Sequence, residues 1–269
     1  MKRKNSSPVK VVEYRDESGQ EFSGITRKTI TVDGRYRYIR KNPLWHLLSF
    51  LCYRVIMTPF AYLYCKLKFR YRVVGREALK KADKKGYFVY SNHTLMAGDA
   101  FFPSLVSFPK KVRVIVNADN LSVRATKWFI ECCGALPLPT GLSGMRHFLE
   151  AVEHHAKKGC AIQVYPEAHI WPYYTGIRPF STGGFVYPVR TGSPVFTSTV
   201  TYQQKGSRKT PAVTIYVDGP FYPTAGLPER KQAEELRDKT LAVMRKRAEN
   251  STYEVIRYVK AEIEEESKT

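Results

Sequence analysis

A histidine follows the strand-like run Tyr87-Phe88-Val89-Tyr90, and an aspartate stands six positions beyond it, in Asn92-His93-Thr94-Leu95-Met96-Ala97-Gly98-Asp99. Neutral imidazole, with a reference pKa of about 6.5, takes a proton from an attacking hydroxyl, and a carboxylate on its second nitrogen fixes the tautomer and stabilises the imidazolium. His93 is therefore read as a general base and Asp99 as its orienting partner. A histidine beside an acid is also an ordinary hydrogen-bonded structural pair, so the reading gains weight only from the residues further along the chain. A second strand-like run, Gly159 to Val164, ends in Tyr165-Pro166-Glu167 and delivers another carboxylate to a sheet edge. After it come the ring-rich loop Trp171 to Gly176, the segment Arg178-Pro179-Phe180-Ser181-Thr182-Gly183-Gly184-Phe185, and a third strand-like run from Ser193 to Val200.

In that order, over about residues 45 to 225, these pieces resemble the glycerolipid acyltransferase family typified by bacterial lysophosphatidate acyltransferases. That family carries N-H-x-x-x-x-D after one strand, F-P-E-G-T-R-S after another, then F-K-x-G-x-F and an apolar strand that begins with proline; the matching pieces here are Asn92 to Asp99, Tyr165 to Glu167, Phe180 to Phe185, and Pro194 with its strand. The ordered set is more specific than any single piece. The resemblance implies an O-acyltransferase that moves an acyl group from a thioester, acyl-CoA or acyl-carrier protein, to the hydroxyl of a glycerolipid such as 1-acylglycerol 3-phosphate, with no further cofactor. His93 and Asp99 would be catalytic. Glu167, His169, Arg178 and Gly183 would meet the substrate, with backbone N–H groups at Gly98 or at Gly183-Gly184 as oxyanion donors.

Alternatives stay open at several of these positions. Glu167 suits acceptor binding or site architecture, and equally a carboxylate that caps a turn or pairs with an arginine. His169 suits an acceptor contact or packing on Trp171. Arg178 suits a phosphate contact, through its bidentate fork, or an ordinary surface arginine. An acceptor without phosphate, or a lipid-binding protein with altered catalysis, would keep the same pattern.

Three departures from the family pattern bear on mechanism. Five residues, Thr94 to Gly98, separate His93 from Asp99 where the family has four, so a continuous helix would put the two side chains on different faces; Asp99 serves His93 only across an irregular turn, which Gly98 favours. The family's E-G-T-R is Glu167-Ala168-His169-Ile170 here, and its G-x-x-F-x-x-R is replaced by Gly134 to Thr140, which leaves Arg146 and Arg178 as the nearest candidates for an anion.

Other chemistries leave weaker traces. There is no G-x-S-x-G, Walker or dinucleotide fingerprint. No H-E-x-x-H or paired C-x-x-C spacing suggests a metal. The five cysteines form no disulfide framework and fit a reducing compartment. The net charge of +20 over 269 residues requires an anionic partner. A nucleic acid is disfavoured because no recognised motif accompanies the charge, which leaves an anionic bilayer surface and its lipids as the expected partner.

The elements that must position these groups read as an α/β domain with a mainly parallel sheet flanked by helices. Val112 to Val116 and Ala212 to Val217 are strand-like, Leu142 to Lys158 and Glu229 to Arg247 have helical spacing, and the tail from Asn250 to Thr269 reads as a fraying helix. The expected organisation is a basic extension over 1–41, a membrane-associated segment over 42–73 and the acyltransferase domain over 74–269. In the second of these an apolar span of about 22 residues could just cross a bilayer. Arg54 at its centre and the breaker Pro59 argue instead for a pair of short amphipathic helices in one leaflet, with Trp45, Tyr53, Tyr62 and Tyr64 at the interface. A pair of core helices fits the same pattern. With no cleavable signal visible, the domain is expected on the cytoplasmic face of the cell membrane, peripheral or monotopic.

Overall fold

The computed structural model describes residues 9–26, 28–122, 124–206 and 210–261. In chain order its elements are β1 (Lys10–Tyr14), α1 (Pro43–Phe50), α2 (Thr58–Phe69), β2 (Arg72–Val74), β3 (Tyr87–Ser91), α3 (Met96–Val106), β4 (Val112–Val116), α4 (Arg124–Cys132), β5 (Ala135–Pro137), α5 (Leu142–Lys157), β6 (Ala161–Val164), α6 (Val186–Thr191), β7 (Val195–Gln203), β8 (Ala212–Phe221), α7 (Glu229–Ala248) and β9 (Ile256–Lys260).

Seven strands form the main sheet in the order β2-β8-β7-β3-β6-β4-β5, with every neighbouring pair parallel except β7 and β8. The mainly parallel, helix-covered sheet expected from the alternating pattern is the observed fold. The central strands explain why: β3 and β6 are buried at every residue, so their side chains must be apolar on both faces and the strands read as short unbroken apolar runs. Alternation along β3 sends Tyr87 and Val89 into a core with α2 and α3, and Phe88 and Tyr90 into a second core with α5 and α7.

The amino-terminal apolar segment differs from expectation. It is one continuous 27-residue helix, Pro43–Phe69, and not a pair. Its middle, Leu51–Met57, widens into π-helical turns just before Pro59. A proline ring has no N–H to donate and crowds the carbonyl of the preceding turn, and a wider turn relieves both problems without ending the helix. The inserted residue also shows in the spacing of the buried side: Ser49, Cys52 and Tyr53 are followed by Thr58, Ala61, Cys65 and Phe69, with a step of five from Tyr53 to Thr58. That step keeps one face on the domain along the whole length. Arg54 turns inward, donating to the Pro109 carbonyl with its guanidinium over Phe108, so the charge that argued against a single helix does not point outward. Leu44, Leu47, Leu51, Val55, Phe60, Leu63 and Leu67 form the exposed side.

The segment expected as a basic extension over 1–41 is, where described, packed across the domain. Val32 is buried and exchanges hydrogen bonds with Thr140, and Tyr38 donates to the Pro137 carbonyl. The carboxyl-terminal tail is also corrected: Ile256–Lys260 is strand β9, paired in parallel with β1. Period-two burial, with Tyr258 stacked on Trp171, outweighs its helix-forming charges. Residues 1–8 and 262–269 of these two expectations lie outside the described residues.

Candidate active site

The site forms where β3 and β6, adjacent at the centre of the sheet, both end. Asn92 locks the exit of β3 by donating to the Val200 carbonyl at 3.0 Å and accepting from the Val200 N–H at 2.8 Å. The chain then runs extended to Leu95 before α3 begins. Each peptide of this link is held from the loop after β6: the His93 N–H donates to Glu167 Oε2 at 3.0 Å, the His93 carbonyl accepts from Trp171 N–H at 3.1 Å, and the Thr94 carbonyl accepts from Tyr173 N–H at 2.8 Å.

Asp99 lies in the first turn of α3 and folds back over the helix start. Its Oδ2 accepts from the Leu95 N–H at 3.0 Å and lies 2.8 Å from His93 Nδ1. The five-residue spacing thus works as expected, through an irregular link, but Gly98 is not what makes the turn. It sits inside α3, where an added Cβ would come within 2.6 Å of the Leu95 and Phe102 side chains, so its role is close packing. Burial pushes the Asp99 carboxyl up from its ordinary range, against the pull of His93 and the N–H groups of Leu95 and Thr94. A more basic carboxylate holds the Nδ1 proton more firmly, and among the described residues Nε2 has no hydrogen-bond partner.

Tyr165 packs against the His93–Asp99 pair and was missed from the sequence. Its ring stacks on His93 at 4.4 Å, and its hydroxyl donates to the Asp99 carbonyl at 2.6 Å. Burial, with the Asp99 charge adding to it, holds the phenol well above its usual range, so it remains a donor. The tyrosine standing where the family pattern has phenylalanine was the available signal.

Glu167 and Arg178 form a buried ion pair beneath this link, with side chains 0 % exposed and a 3.3 Å separation. Glu167 also accepts from the backbone N–H of Arg178 at 3.1 Å, and burial pushes its carboxyl up while Arg178 opposes that shift. The guanidinium donates to the carbonyls of Glu17 and His169 and lies over Trp171 at 4.8 Å. This corrects both expectations for Arg178. It is neither a surface arginine nor placed to meet a substrate phosphate, because Trp171 and the amino-terminal segment cover it. Glu167 is an architectural carboxylate paired with an arginine.

His169 turns to the amino-terminal segment, its Nδ1 3.5 Å from Glu21. Arg146 is exposed and paired with Glu150. Gly183 and Gly184 lie against the opposite face of the sheet, where the Tyr90 hydroxyl donates to the Gly184 carbonyl and Phe185 stacks on Tyr90 at 4.2 Å. The structure therefore does not bring Gly183 to His93, and the strand alternation that separates Tyr90 from the α3 side is the reason. An apolar cavity of about 260 Å³ opens between the Pro43–Phe69 helix and α3, lined by Tyr53, Ala100, Phe101, Ser104, Ile130 and Cys133 among others, with neither His93 nor Asp99 in its lining. Among the described residues no cluster of three or more His, Cys, Asp or Glu side chains could hold a metal.

Residues 70–201, which contain the His93–Asp99 pair, the Tyr165 ring and the Glu167–Arg178 pair, match the family model Acyltransferase. The chain carries an acyltransferase domain. The fold of this acyltransferase is similar to that of the 1-acyl-sn-glycerophosphate acyltransferase PlsC from Thermotoga maritima, with a TM-score of 0.55, 18 % identity, and coverage of 79 % of this chain and 83 % of that one. No curated protein matches it significantly. As an acyltransferase it is an enzyme, and its sheet edge carries an imidazole backed by a buried carboxylate.

Proposed function

We propose that this acyltransferase transfers an acyl group from a thioester donor, acyl-CoA or acyl-carrier protein, to the hydroxyl of a glycerolipid at a membrane surface. The observation that carries the reading is the His93–Asp99 pair, 2.8 Å apart at the sheet edge; an apolar cavity opens along α3, the helix that carries Asp99. His93 Nε2 takes the hydroxyl proton as the alcohol oxygen attacks the thioester carbonyl, and Asp99 stabilises the imidazolium. The tetrahedral intermediate then expels the thiolate by breaking the C–S bond, and the imidazolium returns the proton to the sulfur. The acyl chain occupies the apolar cavity. PlsC is named for 1-acyl-sn-glycerophosphate, which makes 1-acylglycerol 3-phosphate the first acceptor to test. The burial of Arg178 favours a second reading, in which the acceptor is an uncharged lipid alcohol. Incubating the full chain with a radiolabelled acyl thioester and matched phosphorylated and unphosphorylated lyso-lipids separates the two by which product forms; no acylated product from any of them would end the proposal.

The cavity makes the same assay a test of chain length. Ser104→Phe fills part of it without touching His93 and should shift the product distribution toward shorter acyl chains. An unchanged distribution would place the acyl chain elsewhere.

Membrane attachment is supported by the exposed apolar side of the Pro43–Phe69 helix, which passes the length and composition of a span while only 22 % of its most apolar window is buried. In this reading the helix lies in the cytoplasmic leaflet with Lys66, Lys68 and Arg70 on anionic headgroups. Leu47→Glu with Leu63→Glu alters two residues more than half exposed, so the fold should survive while sedimentation with anionic vesicles is largely lost. Undiminished sedimentation would show that another surface carries attachment.

A further inference from the structure

At the sheet edge opposite His93, where β4 and β5 begin, a small, partly open cavity of about 50 Å³ is lined by Arg40, Lys111, Arg113, Glu131, His154 and His155, with Trp45 and Ser49 of α1 forming another wall. Its charge is unbalanced. Glu131 is the one acidic residue in the lining, and it is already occupied by Arg40 at 2.6 Å and by the Tyr36 hydroxyl at 2.7 Å. Among the described residues neither Lys111 nor Arg113 has an acidic partner, and Lys111 Nζ donates only to Ser49 Oγ at 2.9 Å. Arg113 Nε and His155 Nε2 have no hydrogen-bond partner, but both atoms are buried behind the cavity wall, so the groups that face the cavity are the remaining nitrogens of this basic lining.

We propose that this cavity binds a phosphate group. A tetrahedral oxyanion presents acceptors in several directions at once, which suits the Lys111 ammonium and Arg113 guanidinium at the start of β4 facing the histidines of α5. The volume holds a few water-sized spheres at about 10 to 15 Å³ each, which fits a phosphate and excludes a whole lipid. The surrounding charges agree with a cationic hole that lacks its anion: burial first, then Arg113, His154 and Lys111, depress the His155 pKa to about 3. The group has two possible sources. One is free phosphate. The other is a lipid headgroup, since Trp45 and Ser49 belong to the helix whose outer residues Leu44, Leu47 and Leu48 are exposed. Only the lipid source rests on the membrane reading above.

The test measures thermal unfolding of the full chain in inorganic phosphate against chloride of equal ionic strength, and sedimentation with neutral vesicles doped with phosphatidate. Phosphate should raise the melting temperature of the parent, and Arg113→Gln should weaken binding at least tenfold. His154→Glu is the decisive variant, because it supplies a carboxylate to the cavity: it should be at least as stable as the parent without phosphate, yet bind phosphate at least tenfold more weakly. His93→Ala should bind as the parent does, so loss of acyl transfer and loss of this site are distinguishable. A His154-dependent effect in the phosphate experiment assigns the site to the free anion, and one confined to phosphatidate vesicles assigns it to the headgroup. No effect of phosphate or phosphatidate on the parent, or equal effects on the parent and His154→Glu, would overturn the proposal.

Discussion

Replacing His93 with alanine is expected to lower kcat by about 10²- to 10⁴-fold, the usual contribution of a positioned general base, while the protein stays folded. The ring is not what holds the link between β3 and α3. That link is pinned by the Glu167, Trp171 and Tyr173 hydrogen bonds, which all use backbone atoms of His93 and Thr94 and survive the substitution. Asp99→Asn should cost less, since asparagine still accepts from the Leu95 N–H and loses only the charge that supports the imidazolium. Deleting Ala97 should be at least as damaging as Asp99→Asn. Phe102, Leu105 and Val106 anchor α3 in the core, so a shortened link cannot let both His93 Nδ1 and Leu95 N–H reach the same carboxylate oxygen. Full transferase activity in His93→Ala, measured with the protein's melting temperature unchanged, would remove His93 from the reaction.

Breaking the Glu167–Arg178 pair should have the largest effect on stability. Removing one partner of a buried ion pair typically costs about 3 to 5 kcal/mol, because the other charge stays buried without compensation. At roughly 2 to 4 °C per kcal/mol for a chain of this size, Arg178→Ala should lower the melting temperature by about 10 °C. The damage should reach catalysis through His93, whose N–H rests on Glu167, so kcat should fall more than acceptor KM rises. Arg178→Met combined with Glu167→Gln should recover much of the loss, since glutamine still accepts a backbone N–H and no charge is left unpaired. If Arg178→Ala keeps its stability and raises KM only for a phosphorylated acceptor, the arginine is a phosphate ligand after all and the burial argument fails.

The features legible in the residues alone were local in origin. Tyr87 to Tyr90 and Ala161 to Val164 read as strands because a doubly covered strand must be apolar along its whole length, and a polar residue just past such a run has to emerge at the sheet edge. His93, Asp99 and Glu167 were legible for that reason, as were the helices α5 and α7. Questions of partner and face were settled by the folded chain. Arg178 reads as a free cation until Glu167 and Trp171, from its own loop, and Glu17, from the amino-terminal segment, close around it. Arg54 reads as a charge in the middle of an apolar span until Pro109 and Phe108 receive it, and the π turns before Pro59 show that two apparent helices are one. The tail reads as helix because its strand partner lies at the other end of the chain, in Lys10–Tyr14. Residue types and periodicity state what a segment can bury. Which distant group meets it, and so whether a charge is free or spent, is decided only when the chain closes on itself.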